Sequence, residues 1–372
     1  MSIIKTDEIQ ARTSGNRVVL PDVNNYPPFR NLIINGDMSI AQRGTSSTST
    51  GYVADRFNFR VSNTDQFAYT HSQSTTVPTG QGFASSWKLD VTTAETTLDS
   101  DEEVALQTRL EAQNLQSLKF GTSSAETLTL SFWVRSNKTG TYGIYLRQHD
   151  AGKNYVASYT ISSADTWEKK SISISGNTAD TIANDNGIGF WINWTLSAGS
   201  SLVGATTDSW HTATTTIAPT GQVDITDNTS NEWYITGVQL EVGDSATPFE
   251  FLPHDVNLQR CLRYFQKWKP NSGSVAMRLG NGAIMDTQNM YFVAFPSVEM
   301  RTKPSLTLNS TTDWRIFHRG TTATTTNLTF ETHGTNQVFN FLATVSSGLT
   351  SGDCGQLIGN STSNYALFDA EL

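Results

Sequence analysis

The sequence predicts an all-β protein: a jelly-roll β-sandwich, then a short helix, then a second, smaller β-sandwich domain. Three observations predict this fold class. Charged residues make up only 16% of the chain, against roughly 25% in ordinary soluble proteins. Serine and threonine together fill roughly a quarter of it, well above average usage. Short segments in which polar and apolar residues alternate recur between turn residues, which is typical of sandwiches and barrels.

The length and the apolar content limit the alternatives. A chain of 372 residues is expected to hold two or three domains. Its hydrophobic residues, 37% of the total, can bury a core, which excludes a disordered chain. The low proline count of 10 excludes a collagen-like fibre.

Residues 1–30 are expected to form a separate leader. They contain too few apolar residues for a core of their own, although Gly15 and Asn16 predict the turn of a small hairpin. Pro21, Pro27 and Pro28 then interrupt regular structure. We therefore expect the leader to fold against the next domain, a second copy of the chain or a larger assembly.

Residues 31–253 are predicted to form the jelly roll. One strand is expected to place Leu128, Leu130, Phe132 and Val134 on a single face. Residues 101–115 fit both a helix and a strand, and we favour a strand followed by a short helix at Ala112–Leu118. The predicted strands are 31–35, 128–134, 142–147, 155–161, 170–175 and 232–241.

Residues 254–270 are predicted to be a helical connector. Asp255 would cap the helix start, and Pro270 would end it. The apolar face is expected to pack on the sandwich or on symmetry-related copies of the helix. Its predicted members are Leu258, Cys261, Phe265 and Trp268.

Residues 271–372 return to short strands and are predicted to form the second β domain. Two segments, 320–326 and 346–354, are expected to be loops. The predicted strands are 275–279, 283–285, 290–295, 305–308, 314–317, 327–332, 337–343 and 365–368.

Charge and composition limit the kinds of partner that the protein is expected to bind. A formal net charge of −9 argues against nucleic acid, which needs a dense positive footprint. The N-terminus lacks the pattern of a signal peptide. No apolar stretch approaches eighteen residues, so we expect no membrane insertion. We expect the protein to be synthesised in a cytoplasm. Cys261 and Cys354 are expected to be two buried thiols, with a disulfide as the alternative.

No catalytic constellation is found. The chain has no nucleophile elbow, no zinc-binding helix motif and no phosphate-binding loop. The run Asp99, Asp101, Glu102 and Glu103 is the densest group of carboxylates. Glycan-cleaving enzymes need a pair of carboxylates about 5–9.5 Å apart, but a charged run of this kind usually forms a solvated strand edge. We expect no enzymatic activity.

Aromatic residues carry the predicted ligand site. Trp191, Trp194 and Trp210, with His211, lie in and after a stretch rich in Asn, Ser and Gly. Flat rings can stack on sugar faces while amides and hydroxyls bind the sugar hydroxyls. Trp191 and Trp194 are three residues apart and so face opposite sides of a strand, and we expect one of them in the core.

A structural Ca²⁺ is a second hypothesis. Asp37 and Glu241 end the first and last strands of the jelly roll, which are expected to lie side by side. Paired carboxylates with nearby carbonyl oxygens suit calcium. The alternative is that Asp37 only serves the turn at Gly36, and no other cofactor is expected.

Several motifs resemble a family of bacteriophage tail-fibre and minor tail proteins. They are NLIINGDMSIAQRGT at 31–45, ADRF at 54–57, TLSFWVRS at 129–136, YITGVQLEVG at 234–243, ATPFE at 246–250 and LQRCLRYF at 258–265. The resemblance implies a jelly roll like a carbohydrate-binding module, carried on a homotrimeric virion appendage. It brings no catalytic residues, and it does not extend to 271–372.

These observations together predict a phage virion structural protein, a tail fibre or receptor-binding protein that attaches to host-surface glycans. Residues 1–30 would bind phage tail or adaptor proteins, and 271–372 would form a distal tip. Three copies of a weak site would gain avidity. One alternative is a polysaccharide depolymerase, and another is a capsid or neck decoration protein.

Overall fold

The chain is all-β with one short α-helix, as the sequence predicts. The structure, a computed structural model, describes residues 29–64, 66–212, 214–270, 277–359, 361 and 363–372. Most of the leader predicted at 1–30 lies outside the described residues, as does the hairpin predicted within it. The description begins at Phe29, just before the jelly roll.

The first unit is a sandwich of two antiparallel sheets. Its strands are β1 (Ser46–Ser47), β2 (Gly51–Tyr52), β3 (Phe57–Ser62), β4 (Ala68–Ser74), β5 (Ser86–Thr93), β6 (Glu103–Glu111), β7 (Leu128–Ser136), β8 (Gly140–Gln148), β9 (Lys153–Ile161), β10 (Glu168–Ile174), β11 (Ile188–Ala198), β12 (Trp210–Thr212) and β13 (Glu232–Val242). One sheet has six strands in the order β1-β4-β5-β13-β7-β10, and the other has seven in the order β12-β9-β8-β11-β6-β3-β2.

The core of this unit lies between the two sheets. The predicted inward face of β7 is confirmed, because its four apolar side chains are fully buried. Trp87 and Trp233 meet edge to face with ring centroids 6.0 Å apart, and Trp194 packs against Phe132 at 5.9 Å. The predicted order of strand and helix after residue 101 is also confirmed, since β6 is followed by a 3-10 helix over Ala112–Leu118.

The strand predicted at 31–35 is not formed, because asparagine side chains replace a strand partner there. The Asn31 amide donates to the Val238 carbonyl at 3.1 Å, and the Asn35 amide donates to the carbonyls of Ile40 and Asp55, both at 2.9 Å. A Cβ at Gly36 would lie 2.0 Å from the Val238 oxygen, so only glycine fits this close approach. The motif at 31–45 thus holds an irregular segment against β13.

The connector helix is shorter than predicted. It is α1 (His254–Leu262), and the chain then forms β14 (Phe265–Trp268). The prediction that Phe265 and Trp268 are helical is wrong because this segment pairs with a strand near the chain end, β22 (Ala366–Asp369). Asp255 lies in the first turn without capping it.

The helix packs within its own chain. Cys261 and Asn257 are buried, and the Asn257 amide donates to the Asp37 carboxylate at 3.1 Å. Its buried face therefore needs no copies of the helix to cover it. The Cys261 thiol is free, as is that of Cys354, which is exposed rather than buried.

The second unit is the smaller β domain that the sequence predicts, and it closes as a barrel rather than as two stacked sheets. Besides β14 and β22, its strands are β15 (Arg278–Ile284), β16 (Asn289–Ala294), β17 (Ser305–Leu308), β18 (Trp314–His318), β19 (Thr321–Phe330), β20 (Phe339–Val345) and β21 (Cys354–Gly359). Six strands form the barrel in the order β15-β16-β20-β19-β18-β21, and β14, β22 and β17 form a three-stranded sheet beside it.

Closure follows from β15, which pairs with β16 on one side and β21 on the other. A closed sheet leaves no unpaired edge. The prediction of a loop at 320–326 is wrong. The threonines there belong to β19, which forms part of the barrel wall and pairs with β18 and β20. Phe292 and Phe341 stack inside at 4.7 Å.

Buried charges join the two units. Glu371, near the chain end, pairs with Arg56 and, at 3.3 Å, with Arg43. Arg43 also pairs with Asp55 at 3.8 Å, and the Arg56 guanidinium lies 3.5 Å from the Tyr264 ring centre. The described residues contain no helix long and apolar enough to cross a membrane.

We predict that Arg56→Met lowers the free energy of unfolding by about 3–5 kcal/mol, because Glu371 would keep its buried charge without this partner. Chemical denaturation measures the change. The control is Lys119→Met, since Lys119 is 54% exposed and pairs with Glu126, and an exposed pair contributes at most about 1 kcal/mol. Equal effects of the two substitutions would contradict the prediction.

Candidate functional site

The outer surface of the seven-stranded sheet carries a polar face around one tryptophan. Along β11 the side chains alternate, so Trp194 points into the core and is fully buried, while Trp191 points outward and is half-buried. Asn193 points outward with Trp191 and is almost fully buried. This alternation separates a core side from a solvent side on one strand.

Strand register brings five outward residues into one row. Trp191 lies opposite Arg109 of β6 and opposite Arg147 of β8. Arg147 lies opposite Asn154 of β9, which in turn lies opposite His211 of β12. Directly opposed side chains are about 5 Å apart. We call this row and its surroundings the Trp191 face.

A second set of polar side chains on these strands forms hydrogen bonds beside the Trp191 row and helps to orient it. The Gln107 amide donates to Asn193 at 2.8 Å, and Asn193 donates to the Glu103 carboxylate at 3.2 Å. The Tyr145 hydroxyl donates to the Asn154 side-chain oxygen at 2.9 Å. The bond from Tyr145 alone orients the amide of Asn154, and it leaves the amide nitrogen without a hydrogen-bond partner.

Three guanidinium groups surround the Trp191 ring. Their central carbons lie 4.8 Å (Arg109), 5.5 Å (Arg60) and 6.0 Å (Arg147) from the ring centre, within range of cation–π attraction. Among the described residues none of the three forms an ion pair with an Asp or Glu side chain. Burial raises the pKa of Glu103, although Arg60 opposes that shift. The face is therefore positive in a chain of net charge −9.

Several buried polar atoms of the face have no hydrogen-bond partner. They are Arg147 Nε, Trp191 Nε1, Asn154 Nδ2, His149 Nδ1 and His211 Nε2. His149 adjoins the row, with its ring 6.4 Å from that of Trp191. The first three atoms can only donate, and an unsatisfied buried donor is unfavourable. These atoms are enclosed by the protein, so the part of the face open to a ligand is the exposed portion of its arginines and of the Trp191 ring.

Two segments border the face. The loop after β11 packs Ala205 and Ile217 on Tyr145 and Val156. At the other end, Arg109 donates to the backbone oxygen of Leu372. The open part of the face is thereby centred on Trp191 and Arg147.

The predicted ligand residues separate into two groups. Trp191 and His211 lie on the Trp191 face. Trp194 is a core residue, which corrects its prediction as a contact and confirms that one of this tryptophan pair is buried. Trp210 faces the core side of β12, where its ring meets Phe120 at 5.7 Å and its Nε1 donates to the Ser175 carbonyl at 2.6 Å; it is a packing residue.

The two predicted calcium ligands have separate protein partners. Asp37 accepts from Asn257, whereas Glu241 accepts from Gln239 and from Thr247. Among the described residues no group of three or more His, Cys, Asp or Glu side chains could hold a metal ion. Calcium binding by Asp37 and Glu241 stays a prediction. The described residues place no third carboxylate with them to complete such a site.

The carboxylate run does not form a facing pair along β6. Glu102 is buried and accepts from the Asp99 amide at 2.6 Å, while Glu103 lies on the Trp191 face. Glu111, also on β6, is held by Arg263 at 2.8 Å. Eight residues of strand separate Glu103 from Glu111 by roughly 26 Å, far beyond the spacing for glycoside cleavage.

Apart from the Trp191 face, a groove lies on the outer side of the six-stranded sheet. Its cavity of about 550 Å³ is lined by Trp133, Lys169 and an aromatic cluster. The rings of Phe83 and Phe251 in that cluster lie 5.1 Å apart. This groove is more apolar than the Trp191 face and has no comparable set of unpaired donors among the described residues.

Arg109, Arg147 and Asn154 are not among the residues predicted from the sequence. The sequence carries a signal for Arg109 and Arg147. Gln107 and Arg109 alternate with core residues along β6, and Tyr145 and Arg147 do so along β8. Alternation assigns each side chain to a face. It does not show that these strands flank β11.

No protein-family model and no curated protein matches the chain. Among solved structures, the enzymatically active domain of tailspike protein 4 from bacteriophage CBA120 is similar to it with 12% identity and a TM-score of 0.32; the match covers 58% of this chain and 22% of that one. A putative sugar-binding protein from Bacteroides thetaiotaomicron is 14% identical, with a TM-score of 0.32 and coverage of 57% and 100%. A family 4 carbohydrate-binding module is 14% identical, with a TM-score of 0.28 and coverage of 56% and 98%. Likenesses this weak carry no assignment of function.

We predict opposite behaviour for the two tryptophans of β11. Trp194→Ala should lower the free energy of unfolding by about 3–5 kcal/mol, because it leaves a cavity between the sheets. Trp191→Ala should cost about 1 kcal/mol, mostly from lost contacts with the arginines. Thermal or chemical unfolding of both variants decides this, with Trp194→Phe as the milder core variant. A larger loss for Trp191→Ala would contradict its placement on the surface.

Proposed function

We propose that this chain is a bacteriophage tail-fibre or receptor-binding protein that attaches the virion to host-surface glycans through the Trp191 face. The observation that carries the glycan part is the row on which the half-buried Trp191 ring lies between Arg109 and Arg147. Aromatic rings stack on sugar rings, and planar amides and guanidinium groups bind sugar oxygens. The virion part is supported by the tail-fibre motifs in the sequence, and under this proposal the protein is located on the phage tail.

The geometry favours a binding protein over a depolymerase. The carboxylates of β6 are too far apart to act on one glycosidic bond. Glu103 is the carboxylate of the face to test, since burial raises its pKa as in a general acid. Release of reducing ends from host polysaccharide by the wild type, lost in Glu103→Gln, would favour the enzyme.

The phage tail is proposed over the capsid or neck as the site of attachment. Residues 1–30, most of which lie outside the described part, are proposed to bind tail or adaptor proteins. Antibody labelling of virions tests this location, and a label on the neck or capsid would favour a decoration protein.

A homotrimer is part of this proposal. The barrel exposes large apolar side chains on the outside of β16, namely Tyr291, Val293 and, just after it, Phe295, which is 67% exposed. Exposed apolar residues that adjoin one another mark surfaces for association. Contact between copies at β16 would cover them.

We predict a solution mass three times the 40.8 kDa of the chain, measured by light scattering. Val293→Lys should shift the mass towards one chain, because a buried unpaired charge at an interface is strongly unfavourable. Thr326→Lys, on an exposed position of β19, is the matched control. A wild-type monomer would contradict the trimer.

We predict that labelled protein binds host cells and that periodate, which oxidises sugar diols, abolishes the binding. Trp191→Ala should weaken binding about tenfold or more, as expected for a central aromatic contact. Trp167→Ala is the control, because Trp167 is half-buried beside Tyr234 of the six-stranded sheet. Binding that survives both periodate and Trp191→Ala would contradict the proposal.

A further inference from the structure

The Trp191 face has a charge that a neutral sugar does not require. Arg60, Arg109 and Arg147 stand around one ring without an acidic side-chain partner among the described residues. Like charges brought together in this way repel each other, and burial together with Arg60 and Arg56 lowers the pKa of Arg109. A folded protein tolerates such a cluster where an anion is to be bound.

The exposed parts of the face specify the same ligand chemistry. Arg147 and Trp191 are half-buried, so part of each side chain reaches solvent. Asn154 is fully buried, with its side-chain oxygen taken by Tyr145, and it lies beneath the surface that a ligand can touch. A group with several acceptor oxygens and a negative charge would pair with the exposed guanidinium groups.

Arg147 is the central member of this arrangement. It lies between Trp191 on one side and Asn154 on the other, and it has no ion pair among the described residues. Arg109, by contrast, already donates to Gln107 at 2.8 Å and to Leu372. An anionic group placed over Arg147 would pair with its guanidinium group while the sugar ring lies against Trp191.

We propose that the Trp191 face recognises an acidic glycan, whose carboxylate, phosphate or sulfate group is bound by Arg147 while its sugar ring stacks on Trp191. This inference rests on the proposed glycan-binding function and adds the class of glycan. The negative chain as a whole would repel an acidic polymer, so the contact is confined to this face.

The experiment compares acidic polysaccharides with neutral polymers of the same backbone. The pairs are polygalacturonate with its fully methyl-esterified form, phosphomannan with mannan, and dextran sulfate with dextran, and they separate the three anionic groups. Affinity is measured by titration calorimetry on the full chain, and polydeoxythymidylate is included as a polyanion that is a nucleic acid and not a polysaccharide.

We expect at least one acidic member to bind tenfold or more tightly than its neutral partner, with affinity that falls as salt is raised. Arg147→Gln should weaken that binding about tenfold or more, because it removes a charge-assisted hydrogen bond. Arg147→Lys should restore it only in part, since lysine lacks the planar fork. Arg135→Gln makes the same change of net charge on the other sheet, where Arg135 pairs with Asp165, and should leave binding unchanged.

The outcomes distinguish the inference from the function on which it rests. Equal affinity for neutral and acidic members, unaffected by Arg147→Gln, would overturn the acidic preference and leave glycan adhesion in place. Binding to no polysaccharide would overturn both. Tighter binding of polydeoxythymidylate than of every acidic polysaccharide would assign the face to nucleic acid and also overturn the inference.

Discussion

The buried charge cluster of Arg43, Asp55, Arg56 and Glu371 is the interaction on which the arrangement of the molecule depends. Buried charges are tolerated only with partners in good geometry. Three members belong to the sandwich and the fourth to the last residues of the chain, so neither unit compensates its charges alone. The two β units are thereby held as one body, and the end of the chain is kept against the sandwich.

Strand β6 connects this junction to the candidate site. At one end Glu111 is held by Arg263 from the segment after the helix, and the Arg109 carbonyl accepts from Arg56 at 2.6 Å. Farther along the strand, Gln107 and Glu103 orient the amides of the Trp191 face. The site is thus built on a strand that is paired with β3 and β11 and also contacts the junction between the units. Rigid elements of this kind hold binding groups better than loops do.

The Trp191 face differs from the junction in how its charges are paired. At the junction the buried Arg56 has an acidic partner, whereas on the face three arginines adjoin one ring without an ion pair to an Asp or Glu side chain among the described residues. Buried donors without a hydrogen-bond partner do not set the face apart, because core residues such as Trp87 and Trp233 have them as well. Local departures from charge pairing reduce stability and concentrate at functional sites.

Alternation along single strands could be read from the sequence, because the side-chain period of a strand is a local property. It placed Leu128 to Val134 in the core and assigned opposite faces to Trp191 and Trp194. The helix end, the irregular 31–35 segment, the barrel closure and the row of Arg109, Trp191 and Arg147 could not be read in this way. Each depends on which distant segments pair and in what register, such as β14 with β22, and that pairing is decided by packing and burial over the whole chain.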